Sequence, residues 1–186
     1  MDEGLEYDFR ERMRIARPLV KAVMGVDPGV TGGATILSRD GAVIQTLGFH
    51  SDWTHRRFIG EFEAMMNVLR RANVGIQDHH LVSVALEKVG YIGRRADGSK
   101  DGGQGAFTFG TVNGLIRGAI LSAGFFINEA TPQLWQGKLR CFSGGSKDVT
   151  KRKARDLWPS TKWTHATADS ALIAEWLRRR NIEGIV

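Results

Sequence analysis

The stretch V-M-G-V-D-P-G-V-T-G-G-A-T-I-L occupies residues 23–37 and contains a single charged side chain, Asp27. Apolar residues precede this aspartate, a Pro-Gly turn and a Gly-Gly pair follow it, and a second apolar run comes next. This order predicts a strand, a tight turn and a returning strand. A carboxylate in or near a buried strand is costly unless it is paired, hydrogen-bonded or bound to a cation. Asp27 is therefore either a functional side chain or a turn residue that bonds local backbone.

The rest of the chain predicts a three-stranded antiparallel start followed by alternating helices and strands. The turn at 39–41 leads to a third strand over 42–49, and such short connections favour antiparallel neighbours. The further elements expected are helices over 53–72, 107–123, 146–158 and 168–179, strands over 81–86 and 124–128, and a short helix or turn from Thr131-Pro132. The predicted fold is α/β, with a mixed five-stranded sheet of three antiparallel and then two parallel strands, flanked by helices. Residues 1–20 are interpreted as an N-terminal arm and residues 21–186 as one domain.

The positive charge of the chain is concentrated in one segment. The 186 residues carry a formal net charge of +6, and residues 138–162 alone carry the same net charge. A concentrated basic segment favours polyanions such as nucleic acid, although a solvated lysine-rich helix face is an equally ordinary explanation. The basic residues of this segment are Lys138, Arg140, Lys147, Lys151, Arg152, Lys153, Arg155 and Lys162.

Several protein classes are disfavoured by composition. Cys141 is the only cysteine, so neither a disulfide framework nor a cysteine-type zinc site is expected. No apolar run reaches about 18 residues, the length that a transmembrane helix needs. The N-terminal residues are acidic and lack an apolar core, unlike a signal peptide. We therefore expect a cytoplasmic protein without a membrane partner or a small-molecule cofactor.

Three acidic residues stand where apolar runs end or are interrupted. Asp27 belongs to the first strand, Glu87 ends the fourth, and Asp169 begins the buried stripe of the last helix. Three carboxylates at one rim repel one another unless a cation is bound, and hard oxygen ligands without thiolates indicate Mg²⁺ or Mn²⁺. Two such ions can activate water against a phosphodiester, which together with the basic segment predicts a nuclease. Asp169 is alternatively an ordinary first-turn helix acid, and His165 is a fourth ligand, a proton shuttle or a surface histidine.

Glycines mark two further segments. Five glycines lie between positions 93 and 105, in a predicted mobile loop that also carries Arg94, Arg95 and Lys100. Gly110, Gly114 and Gly118 are spaced by four in a predicted helix, where each glycine weakens the helix by about 1 kcal/mol relative to alanine. Their common face is expected to approach a backbone closely. The candidates are the sheet, a dimer partner and DNA.

The order strand-Asp, strand-Glu, helix-Asp resembles the RNase H-like superfamily, and in detail the RuvC-type Holliday junction resolvases, especially the phage-type members. The matching segments run in the same order along nearly the whole chain from residue 23 onward. They are G-V-D-P-G-V-T-G-G (25–33), A-L-E-K-V-G-Y (85–91), F-T-F-G-T-V-N-G-L-I-R-G (107–118), A-T-P-Q-L-W (130–135), S-K-D-V-T-K-R-K-A (146–154) and A-D-S-A-L-I-A (168–174).

The resemblance implies a homodimeric, Mg²⁺-dependent endonuclease that resolves four-way DNA junctions, with Mn²⁺ able to substitute for Mg²⁺. It implies that Asp27, Glu87 and Asp169 are metal ligands. A fourth family ligand lies three or four residues before the last aspartate, where position 166 is alanine and His165 is the ligand-type residue at hand. Lys147 matches a family lysine near the scissile phosphate.

Further residues are assigned to DNA by the same resemblance. Tyr91 follows the position of a family wedge and is expected to stack on an opened base pair, unless it is a half-buried loop tyrosine. The glycine-rich loop and the basic helix are expected to contact phosphates, which makes binding strongly salt-dependent. These phosphate contacts are Arg94, Arg95, Lys100, Lys147, Lys151, Arg152 and Arg155. A bacterial cytoplasm, or the host cytoplasm of a phage, is the implied location.

Three other readings start from the same residues. The segment 27–31 also resembles the phosphate loop of the actin and sugar-kinase superfamily, but 186 residues leave no room for the second domain that those proteins need. A broader nuclease acting on flaps, other branched DNA or RNA–DNA duplexes is the second reading. The third is a non-catalytic junction-binding protein, against which the clustered acids argue because they repel phosphates.

Overall fold

The computed structural model describes residues 20–76, 82–88, 103–142, 144 and 146–181. The N-terminal arm, except Val20, and the glycine-rich loop up to residue 102 lie outside these ranges. Five strands and five helices are present in the described part. The strands are β1 (Ala22–Asp27), β2 (Gly33–Ser38), β3 (Val43–Gly48), β4 (Ser83–Glu87) and β5 (Phe126–Ala130). The helices are α1 (His55–Ala72), α2 (Gly103–Ser122), α3 (Pro132–Leu139), α4 (Lys147–Leu157) and α5 (His165–Asn181).

The five strands form one mixed sheet in the order β3-β2-β1-β4-β5. β1 pairs with β2, and β2 with β3, in antiparallel fashion. β4 runs parallel to both β1 and β5. The predicted fold class, with three antiparallel strands followed by two parallel ones, is therefore confirmed.

One face of the sheet is covered by α5. A methyl group added to Gly25 in β1 would overlap the backbone nitrogen of Ala174 and the carbonyl oxygen of Ser170. Glycine at this position thus lets the helix backbone lie directly on the strand. The hydroxyl of Thr35, the β2 residue opposite Gly25, lies 2.8 Å from the hydroxyl of Ser170.

The opposite face of the sheet is covered by α1. The apolar stripe predicted for this helix is buried as expected and consists of Phe58, Phe62, Met65, Met66 and Leu69. At its end the buried Asn73 accepts hydrogen bonds from the backbone N–H groups of Lys21 and Ala22, which fixes the helix to the start of β1. No helix in the described part combines the length and apolarity that crossing a bilayer needs.

The last helix begins at His165, three residues earlier than the sequence pattern predicts. The cause is a reciprocal cap. Thr164 Oγ1 accepts from the backbone N–H of Thr167, and Thr167 Oγ1 accepts from that of Thr164, each at 3.1 Å. Asp169 consequently lies in the second turn, and the reading of it as a first-turn helix acid is wrong.

The glycines of α2 do not pack on the sheet. A methyl group added to Gly110, Gly114 or Gly118 would meet no atom within 4 Å among the described residues. The expected close approach to the sheet is therefore wrong, because α2 turns this face away from it. Phe107 and Leu121 lie on the same face and are 72% and 61% exposed.

A buried ion cluster ties α5 to the turn between β2 and β3. Glu175 is 3% exposed and accepts hydrogen bonds from Arg178 and Arg179. Arg178 also donates from Nη1 to the carbonyl oxygen of Arg39 at 3.0 Å. Burial alone would raise the pKa of Glu175, but the two arginine partners outweigh it and hold the pKa below the usual value.

Candidate active site

Asp27 is the last residue of β1 and lies opposite Gly33 of β2. Its side chain is half-buried, and Oδ1 accepts a hydrogen bond of 3.0 Å from the backbone N–H of Gly29. This bond is the Asx turn expected of an aspartate before Pro-Gly. The interpretation of Asp27 as a turn residue that bonds local backbone is therefore confirmed. Asp27 also has a further interaction besides this hydrogen bond.

Glu87 is the last residue of β4 and is also half-buried. Its Oε1 accepts a hydrogen bond of 2.9 Å from the indole Nε1 of Trp135. Trp135 lies in α3 and is 1% exposed, so its indole N–H needs a partner in the interior. This bond orients the carboxylate of Glu87 from a rigid neighbour.

The register of the parallel strands brings the two carboxylates to the same edge. Gly25 pairs with Ala85 and Val26 with Leu86. Continuing this register by one residue sets Asp27 beside Glu87, and paired residues point to the same face of a sheet. Because Gly25 faces α5, alternation along the strands directs both carboxylates to the face that α5 covers.

Asp169 approaches that edge from α5. Gly33, the partner of Asp27, faces the first turn of this helix, and a methyl group on it would lie 3.1 Å from the carbonyl oxygen of Ala166. Asp169 lies one turn further along the helix and is half-buried. The backbone therefore gathers Asp27, Glu87 and Asp169 at one end of the sheet.

Cys141 gives an electrostatic measure of this neighbourhood. Burial raises the pKa of its thiol to about 11, the carboxylate of Asp169 adds to the increase, and Lys153 of α4 opposes it. The thiol is thus close enough to Asp169 to sense its charge, and it remains protonated at neutral pH. An inert, buried cysteine fits the absence of any role for it in the sequence prediction.

His165 is the first residue of α5, and its side chain is 44% exposed. Its Nε2 lies 3.9 Å from Oδ1 of Asp148 in α4. Its Nδ1 is buried without a hydrogen-bond partner among the described residues. Asp169 follows it four positions later, so both lie on the same side of the helix. Its role as a fourth ligand or proton shuttle stays a prediction.

The donor set fits a hard divalent cation in its chemistry. The three carboxylates offer only oxygen, as Mg²⁺ and Mn²⁺ prefer. In the described ranges, no three His, Cys, Asp or Glu side chains are grouped closely enough to hold one ion. The backbone thus brings the three predicted ligands to one edge, and their side chains would have to rotate to hold one ion.

The basic helix α4 borders this edge. Thr150 and Ala154 are buried, so this side of α4 packs inward. The predicted DNA contacts Arg152 and Arg155 are exposed on the outer side, and Lys151 is half-exposed. Lys147 is the first helical residue. The other predicted contacts, Tyr91, Arg94, Arg95 and Lys100, lie outside the described residues.

The sequence reasoning missed Trp135. The segment A-T-P-Q-L-W was noted, but no role was given to its tryptophan. A tryptophan on a short helix after the last strand is a usable signal, since a buried indole needs an acceptor and few acceptors lie in an apolar core.

Comparison with solved structures identifies the fold. RuvC of Thermus thermophilus in complex with a Holliday junction substrate is similar at 18% identity and a TM-score of 0.57, over 88% of this chain and 96% of that one. The chain has the RuvC fold. A second structure of Thermus thermophilus RuvC gives the same identity and TM-score over 86% and 95% of the two chains. The yeast mitochondrial Holliday junction resolvase is 14% identical, with a TM-score of 0.51 over 91% of this chain and 84% of that one.

No model of a known protein family matches the chain, and a comparison with curated proteins finds no match. At these levels of identity the structural similarity establishes the fold only. The RNase H-like architecture is confirmed, and the activity has to be argued from the site.

Proposed function

We propose that this protein is a structure-selective DNA endonuclease that resolves four-way junctions by metal-dependent hydrolysis. The observation that carries the proposal is the gathering of Asp27, Glu87 and Asp169 at one edge of a RuvC fold, beside a basic helix. Clustered carboxylates disfavour a nucleic-acid phosphate unless a cation lies between them. A protein that only binds DNA gains nothing from such a cluster.

The three carboxylates, with His165 as a fourth donor, would hold Mg²⁺, for which Mn²⁺ can substitute. Bound divalent cations supply an activated water and stabilise the leaving oxygen of a phosphodiester. The chain's own residues would position these ligands. The Gly29 N–H holds Asp27, the Trp135 indole holds Glu87, and the cap at Thr164 fixes the turn that precedes Asp169.

Lys147 would act at the scissile phosphate, and the outer side of α4 would hold the flanking phosphates through Lys151, Arg152 and Arg155. Arg94, Arg95 and Lys100 would contribute further phosphate contacts from the glycine-rich loop, with Tyr91 stacking at the junction centre. Phosphate contacts of this kind make affinity fall steeply with salt.

A homodimer would match the two-fold symmetry of a four-way junction, with one active site for each of two cuts. The exposed face of α2 is the proposed interface. Phe107 and Leu121 frame Gly110, Gly114 and Gly118, which have open space beside them. Small residues let two helix backbones approach closely, and the exposed apolar residues at the ends supply area to bury.

The order of the matching segments supports assignment to the phage-type branch of the RuvC resolvases. In this assignment residues 21–186 form the nuclease domain, and residues 1–20 form an arm that precedes it. DNA recombination intermediates are the substrate, so the bacterial or phage-infected cytoplasm is the proposed location.

Cleavage of end-labelled four-way, three-way, forked and linear duplex DNA in Mg²⁺ tests the proposal. We expect paired, symmetric nicks in the four-way junction and much slower cutting of the other forms. Equal cutting of all branched forms, or of RNA–DNA duplexes, would instead assign a broader nuclease. Tight junction binding without cleavage in Mg²⁺ or Mn²⁺ would leave a junction-binding protein.

A further inference from the structure

The connection between β3 and α1 lies at the same edge of the sheet as Asp27. Gly33 pairs with Asp27 on one side and with Gly48, the last residue of β3, on the other. The backbone N–H of Phe49 continues the contact by donating to the carbonyl oxygen of Gly32 at 2.8 Å. Residues that follow Phe49 therefore leave the sheet beside the candidate active site, on the side away from β4.

This connection presents aromatic and basic side chains in one ordered group. The rings of His50 and Trp53 lie 5.2 Å apart at 35°, and the guanidinium of Arg57 lies 5.1 Å from the centre of the Trp53 ring. His50 and Arg57 are exposed and Trp53 is half-buried. The group is therefore partly accessible and is held by its own contacts.

An aromatic cluster below the surface holds the connection in place. Phe49 is 5% exposed and packs edge-on against Phe58, with ring centres 4.9 Å apart. Phe58 in turn stacks on Phe62 with an interplanar angle of 10°. Because buried aromatic residues anchor both ends of the connection, the backbone that carries His50 and Trp53 is held in place.

The first turn of α1 carries positive charge, which destabilises a helix at its N-terminus. Helix N-termini favour acidic side chains, because the unpaired N–H groups there carry partial positive charge. This turn contains no acid, and His55, Arg56 and Arg57 occupy its first three positions. Asp52 is the acidic residue between β3 and this helix. The positive charge of this turn is complementary to an anionic partner.

We infer that His50, Trp53, His55, Arg56 and Arg57, here called the β3–α1 surface, form a second DNA-binding surface beside the active-site edge, in addition to the basic helix α4. The inference rests on the proposed function. Arg56 and Arg57 would contact phosphates, and the rings of His50 and Trp53 would stack against bases or sugars at an opened part of the junction. A DNA strand held by this surface would then lie beside the carboxylate edge.

The sharpest test compares the two ends of α1. Arg56→Gln removes a positive charge from the first turn, where it is unfavourable. Arg71→Gln removes a positive charge from the last turn, where it is favourable. Both arginines are exposed. We expect Arg56→Gln to leave the melting temperature equal or higher, and Arg71→Gln to leave it equal or lower. Weaker DNA binding by Arg56→Gln could then not result from lost stability.

Junction binding is measured with chelator present, so that cleavage does not interfere, between 50 and 300 mM NaCl. We expect Arg56→Gln to reduce the slope of log affinity against log salt by about 1, and Arg71→Gln to leave it unchanged. A second variant, Trp53→Leu, should weaken binding to the junction with an unchanged slope. Equal slopes for wild type and Arg56→Gln, with unchanged affinity for Trp53→Leu, would overturn the inference.

Two outcomes separate this inference from the proposed function. If the wild-type protein binds no branched DNA at any salt, the proposed function itself fails. If it binds, and if neither Arg56→Gln nor Trp53→Leu changes that binding, only the β3–α1 surface fails. Polyglutamate tests whether the surface binds acidic proteins instead. If Arg56→Gln weakens polyglutamate binding as much as it weakens DNA binding, the surface belongs to acidic proteins and its assignment to DNA is overturned.

Discussion

The indole of Trp135 donates a hydrogen bond of 2.9 Å to Glu87, which ties α3 to the last residue of β4. The bond restricts the orientation of the Glu87 side chain at the end of its strand. The bond comes from a side chain that is 1% exposed, so the donor has no alternative position. Trp135 is thus a positioning residue for a carboxylate assigned to metal binding.

Replacing Trp135 by phenylalanine should raise the Mg²⁺ concentration needed for half-maximal cleavage by about tenfold, as loss of a ligand's hydrogen-bond partner typically does. Junction binding in chelator should not change, because no phosphate contact is lost. The same substitution at the buried Trp176 of α5 is the control for general destabilisation. If both variants need the same Mg²⁺ concentration for half-maximal cleavage, Trp135 does not position Glu87 for metal binding.

Gly25→Ala should destabilise the protein by about 3 kcal/mol or more, since the new methyl group overlaps helix backbone that cannot move without displacing α5. Gly60→Ala, on the exposed side of α1, meets no described atom and should stabilise by about 0.5–1 kcal/mol. Urea unfolding of the two variants measures both effects. If both variants change the free energy of unfolding in the same direction, the close contact of β1 with α5 is contradicted.

The buried cluster around Glu175 predicts a pH dependence of stability. Its folded-state pKa lies below the ordinary value of 4.5, so its contribution is present above that pH and is lost as pH falls through the lower folded pKa. Glu175→Gln should therefore cost about 3 kcal/mol at pH 7, and the difference from wild type should shrink below about pH 4. Chemical unfolding across this range measures it.

Glu129→Gln provides the contrast. Glu129 pairs with Arg117 and Lys88 at the surface, where the hydrogen bond from Arg117 holds the pKa of the carboxyl below its usual value. Exposed pairs contribute at most about 1 kcal/mol. A loss of stability as large as that of Glu175→Gln would show that the contribution of these ion pairs to stability does not depend on their exposure.

The proposed dimer is tested by placing a charge in the glycine face of α2. Gly114→Arg should convert a dimer into a monomer in sedimentation at micromolar concentration, because the arginine would fill the space that a second helix backbone needs. Gly60→Arg, an equally exposed glycine on α1, should leave the dimer intact. A wild-type protein that sediments as a monomer on junction DNA as well would exclude this interface.

Periodicity predicted the sheet and most helices because local patterns carry that information. The alternation around Asp27, the buried run before Glu87 and the stripe from Phe58 to Leu69 are each visible in a few residues. The start of α5 was missed since two threonines cap each other there, and threonine–threonine pairs are a weaker signal than the usual capping pair. That error also misplaced Asp169 by a turn.

The side-chain arrangement of the site could not be predicted, because it depends on contacts between distant parts of the chain. Trp135 and Glu87 are 48 residues apart, and their bond follows from how α3 packs beside β4. The sequence likewise leaves the partner of the α2 glycines open between the sheet, a dimer partner and DNA. Spacing shows that they share a face, but it does not show whether that face meets the sheet or open space.

We propose that the carboxylates at the active-site edge hold a divalent cation that is needed for DNA cleavage. Cleavage of a labelled four-way junction in Mg²⁺ by wild type and by Asp27→Asn tests it most directly, with Asp40→Asn at the opposite edge of the sheet as the control. We expect paired nicks by wild type and Asp40→Asn, and at least a thousandfold slower cleavage by Asp27→Asn with junction binding retained. Equal cleavage by Asp27→Asn, or none by wild type in Mg²⁺ or Mn²⁺, would contradict it.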